Sequence, residues 1–519
     1  MTKHQSTDSR SGRTLLFSRW SALICCLVLS SVGVVQAQNP APSSTLDQLL
    51  EALRSNGTLT QQQYDTLKQS VTTSNMAAPQ PKPAEMPKAA DSSAAPAKLV
   101  TFMDSGIGMH IGAVDLTFSG EINAFFVHDR PDRTHASCVL CLASTGDQPN
   151  SSVRNGLLPG DFNIRAATHE KGLDIAVQFG FYPGIQSLLT GGLAGTTSFG
   201  GVNLAPGNPT GFGAPGIDFR QQFVTIGNSH IGTFKAGRDL GFFGQEAILN
   251  DMTLLGAGST NGNVNPGSVT LGRIGLGYIY TDFMPQISYT TPSSHGLQAA
   301  FGIFAPLSDV VPTTLGITGI DAPLTGHGSP QFQGKLTYTS TNKGPIKIKL
   351  WTNFITQSME ARAADLAADP ALTIPVGSSV RAIGADYGVK FTAHGLDLVA
   401  TGYNGTGIGT EGLLFLATTP TGHTRDSQGY YVQGTYTFAN RVTLGASYGQ
   451  SHLSLAPAAV ESASASALAR NNGSFVGQAR YGLTKWVNLV GEFTHTRSEG
   501  QSGVVSTSDS IAAGPILFF

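Results

Sequence analysis

The clearest pattern along the chain is a two-residue alternation of apolar and polar side chains, which begins near residue 110. In the segment 114–127 the apolar positions are Leu116, Phe118, Ile122, Ala124 and Phe126. The positions between them are Asp115, Thr117, Ser119, Glu121 and Asn123. Because successive side chains of a strand point to opposite faces, this pattern predicts a strand with one apolar and one wet face. Such a strand suits a membrane barrel, whose outside meets lipid and whose inside holds water.

The same alternation recurs in seven pairs of segments, each joined by a short turn. The pairs are 161–170 with 173–182, 219–227 with 231–238, 275–290 with 296–304, 331–340 with 345–356, 382–393 with 396–404, 428–438 with 442–451, and 474–483 with 485–495. Together with the first segment and the last, 507–519, they predict an all-β fold, a 16-stranded antiparallel transmembrane β-barrel. A barrel of 18 strands remains an alternative, because a long connection can contain one more hairpin.

Long connections rich in Gly, Pro, Ser, Thr and Asn separate the hairpins. They are 130–160, 183–218, 239–274, 305–330, 357–381, 405–427, 452–473 and 496–506. Short turns at one end and long loops at the other are typical of the periplasmic and extracellular sides of outer-membrane barrels. A soluble β-sandwich is the competing interpretation. It would not explain the aromatic C-terminus at Phe519, nor alternation in strands that never gather into a two-sheet core.

Three segments precede the barrel, and none of them has its alternation. Residues 1–37 combine a basic start, an apolar run and small residues before Ala37, which predicts a cleaved signal peptide. The apolar run is shorter than the roughly 20 residues that a membrane-spanning helix needs. Residues 38–72 have the apolar spacing of two short helices, a helical periplasmic leader, and the Ala/Pro-rich residues 73–98 form a linker. We expect the barrel over 99–519.

Composition narrows the function. Charged residues make up 12% of the chain and mean hydropathy is +0.01, as expected when apolar and polar positions alternate. The net charge of −2 gives no reason to expect nucleic-acid binding. The sequence has no His-Glu-x-x-His or P-loop pattern, and Ser447 of a Gly-x-Ser-x-Gly match lies within an alternating strand. We therefore expect no enzymatic activity and no cofactor.

Several short stretches resemble a known family. They are 163–166 (NIRA), 219–223 (FRQQF), 237–239 (GRD), 272–275 (GRIG) and 516–519 (ILFF). On these residues the chain resembles the Gram-negative general-diffusion porins, with a leader similar to that of phosphate-selective-type porins. The resemblance implies an outer-membrane location, a homotrimer, and a third long loop that folds into the barrel. It also implies three kinds of partner: outer-membrane lipid, lipopolysaccharide and small hydrophilic solutes.

The resemblance further implies a constriction at which basic residues of the wall face acidic residues of the third loop. Arg165 and Arg220 match two wall arginines of the family, and Arg238 lies in the GRD stretch. By alternation, Arg165 and Arg220 should point to the lumen, with Ile164 and Phe223 facing lipid. Glu121 stands where the first strand of the family usually has a lysine. The candidates for the acidic side are Asp239, Glu246 and Asp251. Selectivity would then depend on these charges and on pore width. Alternatively, each arginine forms an ion pair that only holds the loop in place.

Two further groups of residues have chemistry of their own. Lys335, Lys347 and Lys349 fall on the lumen face of one hairpin, where they form either an anion track or a solvated wall balanced by loop acids. Cys138 and Cys141 lie in the first long loop, where an oxidising compartment favours a small loop disulfide. A zinc site would need two more ligands, and His135 alone is near, so we expect no metal.

Three functions fit these patterns. The first, which we favour, is a water-filled channel for the passive diffusion of small hydrophilic solutes and ions. The second is a substrate-selective channel for phosphate or organic anions, supported by the lysine face and the leader. The third is a surface protein whose loops and leader act in adhesion or in anchoring to the cell wall.

Overall fold

The computed structural model describes residues 100–103, 106–133, 138–185, 217–260, 269–308, 319–341 and 344–519. The predicted signal peptide, helical leader and linker lie outside the described residues. Twenty strands form one antiparallel sheet within the described part of the chain. Two short α-helices, α1 (Gln245–Asn250) and α2 (Ala363–Ala368), lie in its connections. No helix among the described residues has the length and apolar character needed to cross a membrane.

The strands follow one another along the chain with short turns and long loops in alternation. They are β1 (Val100–Phe102), β2 (Ile107–Ile111), β3 (Val114–Asn123), β4 (Phe125–Arg130), β5 (Asn150–Arg154), β6 (Asp161–Glu170), β7 (Leu173–Pro183), β8 (Ile217–Asn228), β9 (Gly232–Leu240), β10 (Phe283–Thr290), β11 (Leu297–Phe304), β12 (Gln331–Thr339), β13 (Lys347–Glu360), β14 (Ser379–Ala393), β15 (Leu396–Thr406), β16 (Asp426–Thr437), β17 (Val442–Ser454), β18 (Ala469–Gly482), β19 (Val487–Gly500) and β20 (Val505–Phe518).

The sheet closes into a barrel with sixteen positions around its circumference. β3 and β4 share the first position, since both pair with β20, and β5 and β6 share the second. β7 to β20 fill the others in chain order. The predicted all-β, 16-stranded barrel is confirmed. A closed barrel leaves no strand edge unpaired, which is the condition for crossing lipid with strands.

The structure corrects the start of one strand and adds another strand within a predicted connection. β10 begins at Phe283 rather than at residue 275, because the preceding residues turn back into the lumen, with Gly275 and Asp282 at φ values of 71° and 60°. β5 lies inside what the sequence suggested was one long connection, 130–160. β1 and β2 form an additional hairpin, and β2 pairs with β3 just beyond the C-terminal residue Phe519.

Alternation around the barrel separates an apolar outside from a polar lumen. Large side chains on the outside are exposed, among them Ile122, Phe126, Phe301 and Ile511. Phe223 is an exception to the sequence expectation that it faces lipid. A register shift between Gly180 and Phe181 places Phe223 opposite Gln178, in the same row as Arg165. The single extra residue of a bulge reverses which face later side chains occupy.

The extracellular half of the lumen contains folded loops. We name the connections loop 1 (131–149), loop 3 (241–282), loop 4 (305–330), loop 6 (407–425) and loop 7 (455–468). Among the described residues, loops 3 and 6 are almost wholly buried. Their apolar side chains pack with lumen-facing wall residues in shared clusters. Part of the barrel interior is therefore a packed core at this level.

Candidate functional site

Loop 3 crosses the lumen and begins with α1, which is positioned by the barrel wall. Phe242 and Phe243 donate their backbone N–H groups to Gln333 Oε1 on β12, at 2.6 and 2.8 Å. Gly244 precedes α1 in a left-handed conformation (φ 78°), and its N–H reaches Asp386 Oδ2 on β14 at 2.8 Å. These wall groups satisfy backbone donors that a helix start leaves without partners.

The acidic side chain of α1 lies between two lysines of the wall. Lys335 on β12 donates to Glu246 Oε1 at 2.6 Å, and Lys349 on β13 donates to Glu246 Oε2 at 2.5 Å. Burial raises the pKa of Glu246, but the charges and hydrogen bonds of the two lysines outweigh it and leave that pKa below its usual value. Glu246 is therefore ionised at neutral pH and neutralises part of the lysine face.

Lys347, the third lysine of that face, precedes Lys349 by two residues on β13, and its side chain is exposed. Lys390 on β14 pairs in register with Lys349, and its ammonium is 3.6 Å from Asp397. The lysines thus lie on adjacent strands, and loop 3 and the wall both supply carboxylates to them.

Wall amides and one buried carboxylate hold the rest of loop 3. Gln433 on β16 accepts from Met252 N at 2.8 Å and donates to Asn250 O at 2.8 Å. Gln478 on β18 donates to Met252 O at 3.0 Å, and Glu492 on β19 accepts from Gly258 N at 3.1 Å. With the anchors on β12 and β14, these bonds attach loop 3 to several sides of the barrel.

Two acidic residues, one in each of the first two strand positions of the barrel, lie on the side of the lumen opposite the lysines. Glu121 on β3 accepts from Asn123 Nδ2 at 2.9 Å, and Asp161 on β6 lies beside it. β3 occupies the first barrel position and β13 the ninth, which is half of the circumference away. Arg165 on β6 faces the same lumen and is exposed. The wall therefore has an acidic side and a lysine-rich side, with Arg165 beside the acids.

Arg220 lies in the lumen wall but is not exposed. Its Nε donates to Asp218 Oδ2 at 2.6 Å, and its guanidinium lies 5.1 and 5.7 Å from the ring centres of Tyr182 and Phe283. An ion pair with stacked aromatic rings fixes a guanidinium firmly. Arg220 is thus held by its own strand and its neighbours, and its charge is largely balanced by Asp218.

Arg238 and Asp239 are adjacent in sequence but occupy opposite rows. Asp239 contacts the Lys235 ammonium and accepts from Gln221 Nε2 at 2.8 Å. Arg238 pairs with Gln222 on β8 and Pro285 on β10, in the row of the outward-facing Phe234. The structure therefore does not place Arg238 in the row of Arg165, although its charge still acts on Asp282 at the end of loop 3.

Asp251 serves the internal structure of loop 3. Its side chain accepts from Thr253 N at 2.9 Å, where it caps a 3₁₀ turn over Met252–Leu255, and from Tyr278 Oη at 3.0 Å. Burial raises the pKa of Asp251, and the nearby Arg273 opposes this. Of the three acidic candidates from the sequence, only Glu246 lies on loop 3 and contacts basic residues of the wall directly.

Cys138 and Cys141 form a disulfide in loop 1. The turn that they close enters the mouth of the barrel. Leu142 N donates to Ser498 Oγ on β19 at 2.9 Å, and Val139 N donates to Ala467 O of loop 7 at 2.8 Å. No group of three or more potential metal ligands occurs among the described residues.

Sequence reasoning missed the wall residues that position loop 3. Gln333, Gln433 and Gln478 occupy lumen positions of alternating strands, where any polar residue satisfies the pattern. The burial of loop 6 was missed as well. A signal was present, since 412–417 (GLLFLA) is unusually apolar for an extracellular loop.

Comparison with known proteins agrees with this architecture. The family model described as Gram-negative porin matches residues 89–501. The outer membrane channel DcaP of Acinetobacter baumannii is 13% identical, with a TM-score of 0.52 over 81% of this chain and 99% of that one. An anion-selective porin from Comamonas acidovorans is 12% identical (TM-score 0.48; 78% and 100% coverage). Vibrio cholerae OmpT in its trimer form is 10% identical (TM-score 0.41; 78% and 100% coverage). A search of curated protein sequences gives no match.

The family match extends over most of the chain and includes nearly all of the barrel. The similarity to DcaP, at 13% identity, shows the fold and is consistent with that match. A closed barrel with an apolar outside, a polar lumen and a loop folded inside is the architecture of a diffusion channel. The chain therefore belongs to the Gram-negative porins and forms an outer-membrane channel for passive diffusion.

Proposed function

We propose that this channel admits small hydrophilic solutes in general and has only weak charge selectivity. The observation that supports this is the position of Glu246 between Lys335 and Lys349. An anion track requires lysines whose charge is available to the solute. Here one carboxylate of loop 3 contacts two of the three lysines and cancels one of their positive charges, so a passing anion is attracted less than it would be by three free lysines.

The arrangement of wall charges also favours a mixed-charge constriction. Glu121 and Asp161 lie half of the circumference away from the lysines, so acidic and basic groups line opposite sides of the lumen. A field of this kind acts across the channel and orients polar solutes, but it favours neither sign of ion strongly. Arg165, which is exposed on the acidic side, is the wall cation whose charge we expect passing ions to experience most.

The experiment is a single-channel recording of the purified protein in a planar bilayer under a salt gradient. We expect Arg165→Ala to shift the reversal potential toward cation preference. One wall charge a few Å from an ion in water contributes about 0.5–1 kcal/mol, so the permeability ratio should change about two- to fivefold. Lys171→Ala, in the periplasmic turn after β6, is the matched control and should leave the ratio unchanged. An unchanged ratio in Arg165→Ala would remove this residue from the constriction.

The same recordings separate the general channel from a phosphate or organic-anion channel. We expect no block when phosphate or dicarboxylates are added, because Glu246 already contacts Lys335 and Lys349. Concentration-dependent block with strong anion preference would favour the selective channel. Folded protein that gives no conductance steps would favour an adhesive or structural role.

We further propose that the mature protein begins at Gln38 after export and assembles as a homotrimer, as the family resemblance implies. N-terminal sequencing of the outer-membrane protein tests the cleavage site, and cross-linking in detergent tests the trimer.

We also propose contact with lipopolysaccharide phosphates. Three arginines face outward near the extracellular ends of their strands, beyond the apolar side chains of the outer surface. They are Arg130 on β4, Arg470 on β18 and Arg497 on β19. Replacing all three with Gln should weaken co-purification of lipopolysaccharide.

A further inference from the structure

Loop 6 enters the lumen in addition to loop 3. Residues 407–420 are buried without interruption. Leu413 and Leu414 pack in one cluster with Phe242 and Phe243 of loop 3. Phe415 and Leu416 pack in another with Ile320 of loop 4. An extracellular loop exposed to water would not place four consecutive large apolar side chains in the mouth of a polar channel.

Loop 6 rests directly on the last part of loop 3. Tyr280 N donates to Glu411 O at 2.7 Å, and Tyr280 and Gly412 form an isolated bridge. Gly275 has no side chain, and a Cβ there would meet the Glu411 side chain at about 3.0 Å. The two loops are thus in close contact within the barrel, and solute that reaches loop 3 from outside must pass beside loop 6.

The backbone of loop 6 is strained. Glu411, Leu414 and Leu416 have φ values of 63°, 69° and 58°. This left-handed conformation destabilises a residue other than glycine by about 1–2 kcal/mol. Three such residues within six positions require support from elsewhere in the molecule. Loop 6 therefore stays in the lumen because other elements hold it there.

One buried guanidinium supplies such support. Arg425, the last residue of loop 6, makes five N–H···O bonds, which satisfy all five of its donors. Two go to Glu461 of loop 7 at 2.6 and 3.0 Å, and one goes to Ile320 O of loop 4 at 2.6 Å. Two more go to Leu416 O and Thr418 O within loop 6, at 3.2 and 3.0 Å. We call Arg425 with Glu461 the latch.

Asp321 of loop 4 strengthens the same junction. Its Oδ1 accepts from Thr418 N and Thr418 Oγ1, both at 3.0 Å, and lies 3.9 Å from Arg425 Nη1. Arg425 and Asp321 have no exposed side-chain surface, and Glu461 has very little. Removing one partner of a buried charge network leaves the other without compensation, and this costs several kcal/mol. The latch therefore has the strength to offset the strain of loop 6.

We propose that loop 6 is a second restriction of this channel, which together with loop 3 sets the upper size limit of the solute, and that the latch holds it in the lumen. Release of the latch lets loop 6 leave the mouth of the barrel and widens the path. Loop 3, which is bonded to the wall on several sides, stays in place. The inference goes beyond passive diffusion because it assigns the size limit to an element other than the family's third loop.

The first test removes the restriction. In one variant two glycines replace residues 411–416. Its conductance and the swelling rates of liposomes in sugars of increasing size are compared with those of the unaltered protein. We expect conductance to rise about twofold and sugars that the unaltered protein excludes to enter. A folded, heat-modifiable barrel with unchanged conductance and unchanged sugar exclusion would overturn the proposal.

The second test measures release of loop 6 and decides the matter if the deletion does not fold. Leu414→Cys places a thiol in buried loop 6, where it should react slowly with a membrane-impermeant maleimide. Adding Arg425→Gln should accelerate labelling about tenfold or more, because local opening exposes the thiol. Arg381→Gln, which changes an exposed arginine of β14, is the matched control and should not accelerate it. Equally slow labelling in folded Arg425→Gln protein would refute the latch.

Discussion

At the scale of single residues, Glu246 neutralises part of the positive charge of the lysine face. It is the one loop 3 carboxylate that contacts two wall lysines, and neither lysine is fully buried. The Lys335 and Lys349 side chains are 19% and 34% exposed, so both can be hydrated if the carboxylate is removed. The pair therefore contributes less to stability than a dry ion pair would, and more to the charge that a solute meets.

We predict that Glu246→Gln shifts the reversal potential toward anions, about two- to fivefold in permeability ratio, because two lysines lose their counter-charge. The matched control is Glu499→Gln. Glu499 also lies between two cations, Arg470 and Arg497, but on the outer face, and its loss should leave selectivity unchanged. Equal shifts in both variants would contradict a lumen-specific effect.

The pH dependence of this variant follows from the pKa of Glu246, which lies below its usual value of 4.5. A carboxyl with a depressed pKa keeps its charge above that value and loses it as pH falls through the folded-state pKa. We expect the difference in reversal potential between the unaltered protein and Glu246→Gln to persist at pH 5. It should disappear only well below pH 4.5, where both side chains are neutral. Loss of the difference already at pH 6 would contradict the ion pairs.

At the scale of elements, loop 3 is held by side-chain amides of the wall as well as by charged groups. Gln433 is the clearest case, because its Oε1 and Nε2 bond Met252 N and Asn250 O, the backbone between α1 and the 3₁₀ turn that follows. A single amide thus satisfies one donor and one acceptor of a buried loop. Each of these two backbone groups, buried without a hydrogen-bond partner, would destabilise the folded protein by about 1–3 kcal/mol.

We predict that Gln433→Ala loosens loop 3 without unfolding the barrel. The open-channel current should become noisier and show substates, because α1 loses one of its attachments. Gln428→Ala, at an exposed position of the same strand, is the control and should behave like the unaltered protein. Quiet, unchanged currents in Gln433→Ala would mean that the remaining bonds suffice to hold the loop.

At the scale of the whole molecule, closure depends on a tight seam between the first and last strands. β20 passes from β4 to β3 at the break at Ala124, and Gly120 and Phe519 exchange two backbone hydrogen bonds of 3.0 Å. A Cβ at Gly514 would lie 1.9 Å from Ala124 O and 2.8 Å from Phe125 Cα, so no side chain fits there.

We therefore predict that Gly514→Val prevents closure and abolishes the heat-modifiable, folded form on gels. Gly491→Val, one strand away on β19, has open space around its Cβ and should fold normally. Normal folding of Gly514→Val would show that the seam can shift at this point.

The sequence alone predicted the barrel well, for a physical reason. A strand between lipid and water must alternate, and the residues of each such strand carry that pattern wherever the strand is located. The seven hairpins, their turns and the closing strand at Phe519 could therefore be identified locally. Phe223 was misassigned because a bulge shifts the register by one residue, and nothing in the segment 219–223 marks the bulge.

The functional site was less accessible to the sequence because it depends on contacts between distant residues. Lumen positions could be recognised as polar, and Glu246 and the lysines were singled out. However, only the folded chain brings Glu246 to Lys335 and Lys349, and Arg425 to Glu461 and loop 4. Alternation determines which face a side chain occupies, whereas the path of a loop inside the barrel is determined by packing and by pairing of buried polar groups.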